Sequence, residues 1–281
     1  MIIKKSNRSF YESLLKDLLK GFNRLYWFLK TYIKYHLLTI KYFLLGNKIK
    51  KHKISLLLPT KLRSIKFKNL VSSLLDKTSN DYEIELLILL DENEEQLNDY
   101  LKIINSIKNF KISYYLKNFS TNLQRINFLA EKSNFDLILA INDDIEFTLS
   151  DWNKRVAIEF SKINMDKPFS LWLRSDDVKY KYFHSNFPVI NRSWYKKLSY
   201  HSPEKYFSHW WADNWICDLG KKSGKFLITH EIFIKHFNQF HLVNQKDKTY
   251  LDNQKKRNGE IDLENWNKYN YIRKDDANLL K

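Results

Sequence analysis

Two patterns of hydrophobic residues divide the chain. Between residues 10 and 45 an apolar side chain recurs at every third or fourth position, with no intervening proline. The recurring residues are Phe10, Leu14, Leu18, Phe22, Leu25, Leu29, Ile33, Leu37, Ile40 and Leu44. This period predicts one stripe of an amphipathic helix, which Gly46 is suited to end.

After residue 53 the pattern changes to short runs that are apolar along their whole length. They predict strands at residues 54–58, Ile84–Leu90, Lys111–Leu116 and 136–141, with helical periods at 67–77, 94–107 and 123–132. Such strands, alternating with helices, are typical of a mostly parallel sheet covered by helices on both faces. Ligands of these sheets bind at the carboxyl ends of the strands, where the polar loops 59–63, 91–93 and 142–144 meet.

The net charge of +16 belongs mainly to the N-terminal region. Residues 1–53 carry 11 Lys and 2 Arg against Glu12 and Asp17, which gives +11 there and leaves +5 for the rest. A strong positive charge favours nucleic acid or an anionic membrane as partner. Because the main domain is close to neutral, the distribution disfavours nucleic acid and indicates an anionic membrane contact through residues 10–45.

The N-terminal helix is too charged to span a membrane. Its most apolar stretch, residues 25–45, contains Lys30, Lys34 and Lys41, and one central Lys costs about 2.5–3.5 kcal/mol. Aromatic and basic residues on an amphipathic helix favour the membrane interface instead, where each cation adds about 1 kcal/mol. The alternatives are a helical hairpin packed on the domain or on a partner chain, and a nucleic-acid contact.

Glycine and cysteine are too scarce for several kinds of site. The chain has 5 Gly, with neither G-x-G-x-x-G nor G-x-x-x-x-G-K-S/T, which excludes a glycine-lined phosphate loop. The single cysteine, Cys217, excludes an intrachain disulfide and a cysteine zinc site. A diphosphate would therefore need a metal ion or basic side chains.

Acidic residues cluster directly after the fourth predicted strand. Asp143, Asp144 and Glu146 offer hard oxygen ligands of the kind that hold Mg²⁺ or Mn²⁺, often with phosphate oxygens. The alternative is a solvated turn before the next helix, since acids also favour helix N-termini. A second acidic pair, Asp176-Asp177, follows a further predicted strand at Phe169–Leu173. A solvated turn is expected there, and the alternative is contact with the substrate.

The order of motifs along the main domain resembles a known enzyme family. The runs ISLLLPTKLR, LLILLDEN and NLQRINFLAEKSNFDLILAINDDIEF resemble the nucleotide-binding half of the family-two glycosyltransferases of GT-A fold. FPVINRSWYKKLSYHSPEKYFSHWWADNWICDLGKKSG resembles the acceptor half, and ITHEIFIKHFN the closing segment. The resemblance implies an α/β, Rossmann-like GT-A domain at residues 53–250, after a basic amphipathic helical appendage at 1–52 and before a charged tail at 251–281.

The resemblance also implies which residues bind the nucleotide-sugar donor. Thr60 and Arg63 would line the nucleotide pocket, and Asp91 would lie near the base or the ribose. Arg125 would face the nucleotide or only pack its helix, and Asp143 would stand near the ribose.

A Mn²⁺ or Mg²⁺ ion is implied at the diphosphate, with Asp144 and His236 as its ligands. Two assignments stay open because the sequence departs from the family pattern. An Asn stands at position 142 before the two aspartates, so either Asp143 or Asp144 contacts the metal. Asn238 replaces a second His, so His241 competes with His236.

Asp213 is the catalytic base that the resemblance implies, since an acceptor hydroxyl must lose its proton as it attacks. It lies in HWWADNW, where Trp210, Trp211 and Trp215 would exclude water or stack on sugar faces. The alternative is a core helix with buried tryptophans and Asp213 near its N-cap.

The implied activity is metal-dependent, inverting sugar transfer from a nucleotide sugar to a saccharide or lipid-linked acceptor. The enzyme would act in surface polysaccharide, lipopolysaccharide or glycolipid synthesis, and the amphipathic helix would place it on the cytoplasmic face of the cell membrane. The Lys-, Asn- and Ile-rich composition fits an AT-rich bacterial genome. One alternative is a nucleotidyltransferase, which would not need Asp213. The other is a non-enzymatic nucleic-acid-binding protein, which predicts basic residues along the main domain.

Overall fold

The computed structural model describes a few N-terminal residues and most of the chain after residue 49. The described residues are 21, 22, 25, 26, 29, 33, 37, 50–81, 83–108, 110–178, 184–207, 210–237, 247–256 and 259–281, without the side chains of 230, 253–256 and 259. The chain divides into two units, Met1–Ile49 and Lys50–Lys281.

The described residues of the first unit are all helical. Their large apolar side chains are exposed and spaced by three or four positions: Phe22, Leu25, Tyr26, Leu29, Ile33 and Leu37. The rest of the predicted helix at 10–45 lies outside the described residues. Among the helices that are described, none has the length and apolarity that crossing a membrane requires.

The described strands of the second unit form one mixed sheet. In chain order they are β1 (Ile54–Pro59), β2 (Ile84–Leu90), β3 (Lys111–Leu116), β4 (Leu137–Ala140), β5 (Ile145–Phe147), β6 (Ser170–Ser175), β7 (Phe187–Asn191) and β8 (Phe226–His236). Their order across the sheet is β3-β2-β1-β4-β7-β6-β8-β5. The first four are parallel neighbours, whereas β7 pairs antiparallel with both β4 and β6.

Helices cover both faces of this sheet. They are α1 (Ser64–Lys77), α2 (Leu97–Ser106), α3 (Asn122–Lys132), α4 (Trp152–Phe160), α5 (Arg192–Leu198), α6 (Ala212–Ser223), α7 (Lys248–Lys256), α8 (Gly259–Lys268) and α9 (Asn270–Leu279). One buried core joins the sheet to α1, α2 and α4, and a second joins it to α3, α5 and α6. The predicted mostly parallel sheet with helices on both faces is confirmed.

The parallel strands are apolar along their length because both of their faces are buried. Every residue of β2 is buried, and its neighbour β1 is buried except at its last residue, Pro59. Burying one Leu or Ile side chain contributes about 1.5–3 kcal/mol, so these two strands anchor the domain. They also fix the position of the loops that follow their carboxyl ends.

The C-terminal residues differ from the charged tail that the sequence predicts at 251–281. Residues of α9 pack on α6, where Ala277 and Leu280 belong to the second core. Arg273 is 3% exposed, and its Nε donates a 2.7 Å hydrogen bond to Asp218 Oδ2. Its guanidinium also lies 3.7 Å from the ring centroid of Trp266. The many charged residues of 251–281 led the sequence analysis to predict a solvated tail instead of this packing.

Candidate active site

A cavity of about 380 Å³ opens where β1 and β4 end and α6 begins. It brings together most of the residues that the sequence singles out. Those lining it are Thr60, Arg63, Arg125, Asp143, Asp144, Asp213 and His236. Glu146, the third acid of the predicted cluster, does not line the cavity. It lies on β5, where its backbone is the neighbour of Lys235 on the adjacent strand β8.

Asp143 is held by two donors from the loop after β1. It is 5% exposed, and its Oδ2 accepts a 2.6 Å hydrogen bond from Thr60 Oγ1. Its Oδ1 accepts a 2.9 Å bond from Arg63 Nη1. Burial raises the pKa of Asp143, and the positive charge of Arg63 opposes that rise. Both oxygens of this carboxylate are therefore occupied within the protein.

Arg63 also links the loop after β1 to the segment before α7. Its Nη2 donates to Asp247 Oδ1 at 2.8 Å, and Lys66 Nζ lies 2.6 Å from Asp247 Oδ2. Burial alone would lower the pKa of Arg63, but the carboxylates of Asp143 and Asp247 outweigh burial and raise it. Arg63 thus stays charged and holds the start of α7 beside the cavity, where Thr249 and Tyr250 line it.

Asp91 lies beside the cavity rather than in its lining. It is 4% exposed, and its carboxylate forms ion pairs with Arg125 and with Lys61, the latter at 2.6 Å. Both partners line the cavity. The role open to Asp91 in this arrangement is to position two cations that face a ligand.

Asp144 has the geometry of a metal ligand. Its Oδ1 is buried, accepts no hydrogen bond from the described residues, and lies 3.6 Å from His236 Nε2. A buried acceptor without a donor costs about 1–3 kcal/mol, which a bound cation would remove. One or two protein ligands completed by phosphate oxygens and water are typical of Mg²⁺ and Mn²⁺ sites. The described residues contain no group of three or more acidic, His or Cys side chains that could hold a metal ion. The predicted cation would therefore use Asp144 and His236 together with phosphate oxygens and water.

A second carboxylate orients His236. His236 Nδ1 lies 2.8 Å from Asp177 Oδ2, which leaves Nε2 on the side of Asp144. Burial would lower the pKa of His236, but Asp144 and Asp177 outweigh it and raise the pKa to about 9. Asp177 itself is nearly buried and also accepts from Asn186, so it does not lie in the solvated turn expected for it. His241, the competing candidate, lies outside the described residues.

Asp213 occupies the first turn of α6 and lines the cavity. Its Oδ2 lies 3.0 Å from Nε2 of His184. The residue before the helix, Trp211, has a φ of 74°, which is rare for a side chain of this size and costs about 1–3 kcal/mol. Strain of this kind persists where the surrounding packing fixes it, here the contact of Trp211 with Trp266 at 4.9 Å between centroids.

The three tryptophans around Asp213 have different positions. Trp210 and Trp211 line the cavity. Trp215 is fully buried in the second core and donates a 3.0 Å hydrogen bond to Tyr200. Only the first two are placed to meet a bound sugar, whereas Trp215 packs the helix that carries Asp213.

Sequence reasoning missed three residues of this site: His184, Asp177 and Asp247. Each reaches its partner from a distant part of the chain, as far as 184 residues away for Arg63 and Asp247. Asp177 belongs to the acidic pair noted in the sequence, but no local spacing relates any of the three to its partner. Their contacts follow only from the folded topology.

No protein-family model and no curated protein matches the sequence. Solved structures match its fold. TarS from S. aureus aligns with a TM-score of 0.53 at 14% identity, over 66% of this chain and 36% of that chain. Its fragment 1–349 in complex with UDP-GlcNAc aligns at 0.51 and 13%, over 71% and 64%. The mannosyltransferase PcManGT from Pyrobaculum calidifontis, in complex with GDP-Man and Mn²⁺, aligns at 0.53 and 7%, over 66% and 57%.

These similarities show that the second unit has the GT-A fold, as predicted. The chain spans only 36% of the length of TarS and less than two thirds of the other two chains. At such low identities the likeness concerns the fold. What the residues of the cavity do has to be argued from their own geometry.

Proposed function

We propose that the protein is a metal-dependent glycosyltransferase that uses a nucleotide-sugar donor. The observation that carries this proposal is a single cavity lined by both Asp213 and the Asp144–His236 pair, on a GT-A fold. A carboxylate that can accept a proton and a cation site for a leaving diphosphate are the two requirements of sugar transfer. The neighbours in complex with UDP-GlcNAc or with GDP-Man and Mn²⁺ support this kind of donor and metal.

The donor would bind at the carboxyl ends of β1 and β4. Arg63, with Lys61 and Arg125 held by Asp91, supplies positive charge for the diphosphate and the nucleotide. Asp144 and His236 would hold Mn²⁺ or Mg²⁺. When bound, the cation would stabilise the negative charge that develops on the leaving diphosphate.

The acceptor would bind against Trp210 and Trp211, next to Asp213. Asp213 would take the proton of the acceptor hydroxyl while that oxygen forms its bond to the anomeric carbon of the donor sugar. The bond from that carbon to the diphosphate oxygen breaks in the same step, which inverts the anomeric centre. Because a sugar face stacks well on an indole, these tryptophans suit a saccharide acceptor.

The acceptor is proposed to be lipid-linked or part of a surface glycan, in a bacterial polysaccharide, lipopolysaccharide or glycolipid pathway. The exposed apolar side chains of the first unit and the surplus of 11 positive charges over residues 1–53 support binding to an anionic membrane through residues 10–45. This contact would hold the enzyme at the cytoplasmic face of the cell membrane.

A panel of nucleotide sugars with Mn²⁺ tests the proposal by thermal shift and by release of nucleoside diphosphate. At least one donor should raise the unfolding temperature, because a ligand that binds only the folded state stabilises it. Asp144→Ala should abolish this Mn²⁺-dependent activity, and Asp213→Asn should keep donor binding while it loses transfer. Failure of every donor to stabilise the protein or to be turned over would refute the assignment.

A further inference from the structure

His184 pairs with Asp213, which lines the cavity. His184 Nε2 lies 3.0 Å from Asp213 Oδ2, and the two side chains are 23% and 30% exposed. They are 29 residues apart in the chain and come from different elements, since His184 precedes β7 and Asp213 begins α6. Among the described residues His184 is the only hydrogen-bond partner of the Asp213 side chain, so its Oδ1 is left for another group.

The surroundings of His184 favour its charged form. The titratable groups that face it in the described part of the chain are Asp213 and Cys217, both on α6. The Cys217 thiol also donates to the carbonyl oxygen of Ser185 at 3.6 Å. Burial would lower the pKa of His184, but its partners on α6 outweigh burial and raise the pKa to about 10.

We propose that His184 is a positioning residue for Asp213: it donates Nε2–H to Oδ2 and directs Oδ1 to the acceptor hydroxyl. This inference rests on the proposed function. In the transfer step the hydroxyl proton passes to Asp213 Oδ1, the acceptor oxygen bonds to the anomeric carbon, and the diphosphate leaves with the electrons of the broken bond. His184 keeps its own proton throughout.

A carboxylate base needs such a partner for two physical reasons. A half-exposed carboxylate can rotate, and a fixed hydrogen bond to one oxygen selects the orientation in which the other meets the substrate. Desolvation by a bound acceptor also disfavours the negative charge, which an adjacent imidazolium offsets. A purely structural His would affect neither the orientation nor the ionisation of Asp213.

The first experiment follows the imidazole resonances of His184 by NMR from pH 5 to 11, assigned by their loss in His184→Gln. In the wild type they should titrate near pH 10, and in Asp213→Asn at least two pH units lower, because the neutral amide no longer stabilises the imidazolium. A midpoint near 6.5 in both proteins would overturn the pairing. This readout does not depend on catalysis.

The second experiment measures hydrolysis of UDP-GlcNAc or GDP-mannose with Mn²⁺, whichever is turned over, as a function of pH. His184→Leu should lower kcat about 10- to 100-fold with an unchanged donor KM, and should move the acid limb of the profile to higher pH. His184→Gln keeps a neutral donor at the same place, so it should recover part of kcat but not the position of the acid limb.

His52→Gln is the matched control, since His52 is also buried and lies 3.7 Å from an aspartate, Asp136, far from the cavity lining. It should leave the acid limb in place. If His184→Leu had the same kcat as the wild type and the acid limb of its pH profile at the same pH, the positioning role would be overturned. A wild type that turns over no donor would instead refute the proposed function, and the NMR titration would still decide whether the pair exists.

Discussion

Asp143 and Asp144 are adjacent after β4, but their side chains have different hydrogen-bond partners. Asp143 has both oxygens bonded by Thr60 and Arg63, so it is a structural anchor for the loop after β1. Asp144 keeps a buried oxygen without a hydrogen bond from the described residues, next to His236. The sequence left open which of the two contacts a metal, and this geometry favours Asp144.

Asp177 should set the metal affinity of the site without touching the metal. Changing Asp177→Asn removes the charge that holds Nδ1 of His236, so Nε2 is no longer fixed toward Asp144. Loss of such an outer carboxylate typically lowers metal affinity by 10- to 100-fold, and we expect about 10-fold because the amide oxygen can still accept the bond. Calorimetric titration of Mn²⁺ in the presence of UDP measures it.

The matched control for that change is Asp166→Asn, which alters an exposed aspartate in the loop before β6. It removes the same charge from the same protein but should leave Mn²⁺ affinity within twofold. Equal losses in both variants would mean that net charge, rather than the orientation of His236, governs binding. No loss in Asp177→Asn would remove Asp177 from the site.

His201 should make the protein sensitive to acid. It is 3% exposed, and burial lowers its pKa to about 4. The folded state therefore resists protonation between pH 6.5 and 4, whereas the unfolded state accepts a proton. The stability that this residue contributes is present above pH 6.5 and is lost as the pH falls toward 4, by about 3 kcal/mol.

Urea unfolding at several pH values between 4 and 7 tests this through the difference between wild type and His201→Gln. The variant should lose less stability on acidification, so the two free energies should converge toward pH 4. His184→Gln gives the opposite contrast, because the raised pKa of His184 means that its contribution is complete below pH 6.5 and is lost as the pH rises toward 10. Parallel curves for wild type and His201→Gln would contradict the buried neutral state.

At the level of elements, the position of Asp213 depends on how α6 is held. Trp215 anchors α6 in the second core, to which residues of α8 and α9 also contribute. Arg273 joins these helices, since it donates to Asp218 on α6 and to the carbonyl oxygen of Trp266 on α8, and its guanidinium covers the ring of Trp266. The C-terminal helices therefore support the predicted base.

Arg273→Ala should destabilise the domain by about 2–4 kcal/mol, since it removes a buried guanidinium with its hydrogen bonds and its packing on Trp266. Arg273→Lys should not restore stability, because an ammonium lacks the planar fork that bonds Asp218 and the carbonyl of Trp266 together. Lys274→Ala, at an exposed neighbouring position, should change stability by less than about 0.5 kcal/mol. Urea unfolding compares the three, and equal stability of Arg273→Ala and Lys274→Ala would contradict this support.

The elements also show which features a single sequence can reveal. The apolar runs of β1 and β2 predict buried parallel strands. Both faces of these strands are covered in the fold, so their sequences are apolar at nearly every position. The acids that follow β4 could be found for the same reason, since a strand end fixes where they lie. The packing of α9 and the pairing of His184 with Asp213 could not, because each depends on contacts between segments that no local period relates.

For the whole molecule, the cavity and the exposed apolar helical residues belong to different units. The residues that line the cavity belong to Lys50–Lys281, whereas most of the net charge belongs to the N-terminal region. The described apolar side chains of the first unit are exposed as well as surrounded in sequence by Lys and Arg. A helix with both features gains from apolar insertion and from attraction to anionic lipid, so each contribution can be removed separately.

Replacing Leu29→Ser and Ile33→Ser together tests the apolar contribution, because the charge stays the same. Full burial of such side chains is worth about 1.5–3 kcal/mol each, so even partial insertion predicts at least about a 10-fold loss of binding to phosphatidylglycerol–phosphatidylcholine vesicles in a flotation assay. Ile65→Ser is the control, since Ile65 is 76% exposed on α1 and should not affect binding. If the double substitution left vesicle binding unchanged while added salt weakened it steeply, the contact would be electrostatic alone. If the wild type did not bind vesicles at all, the membrane would be excluded as partner.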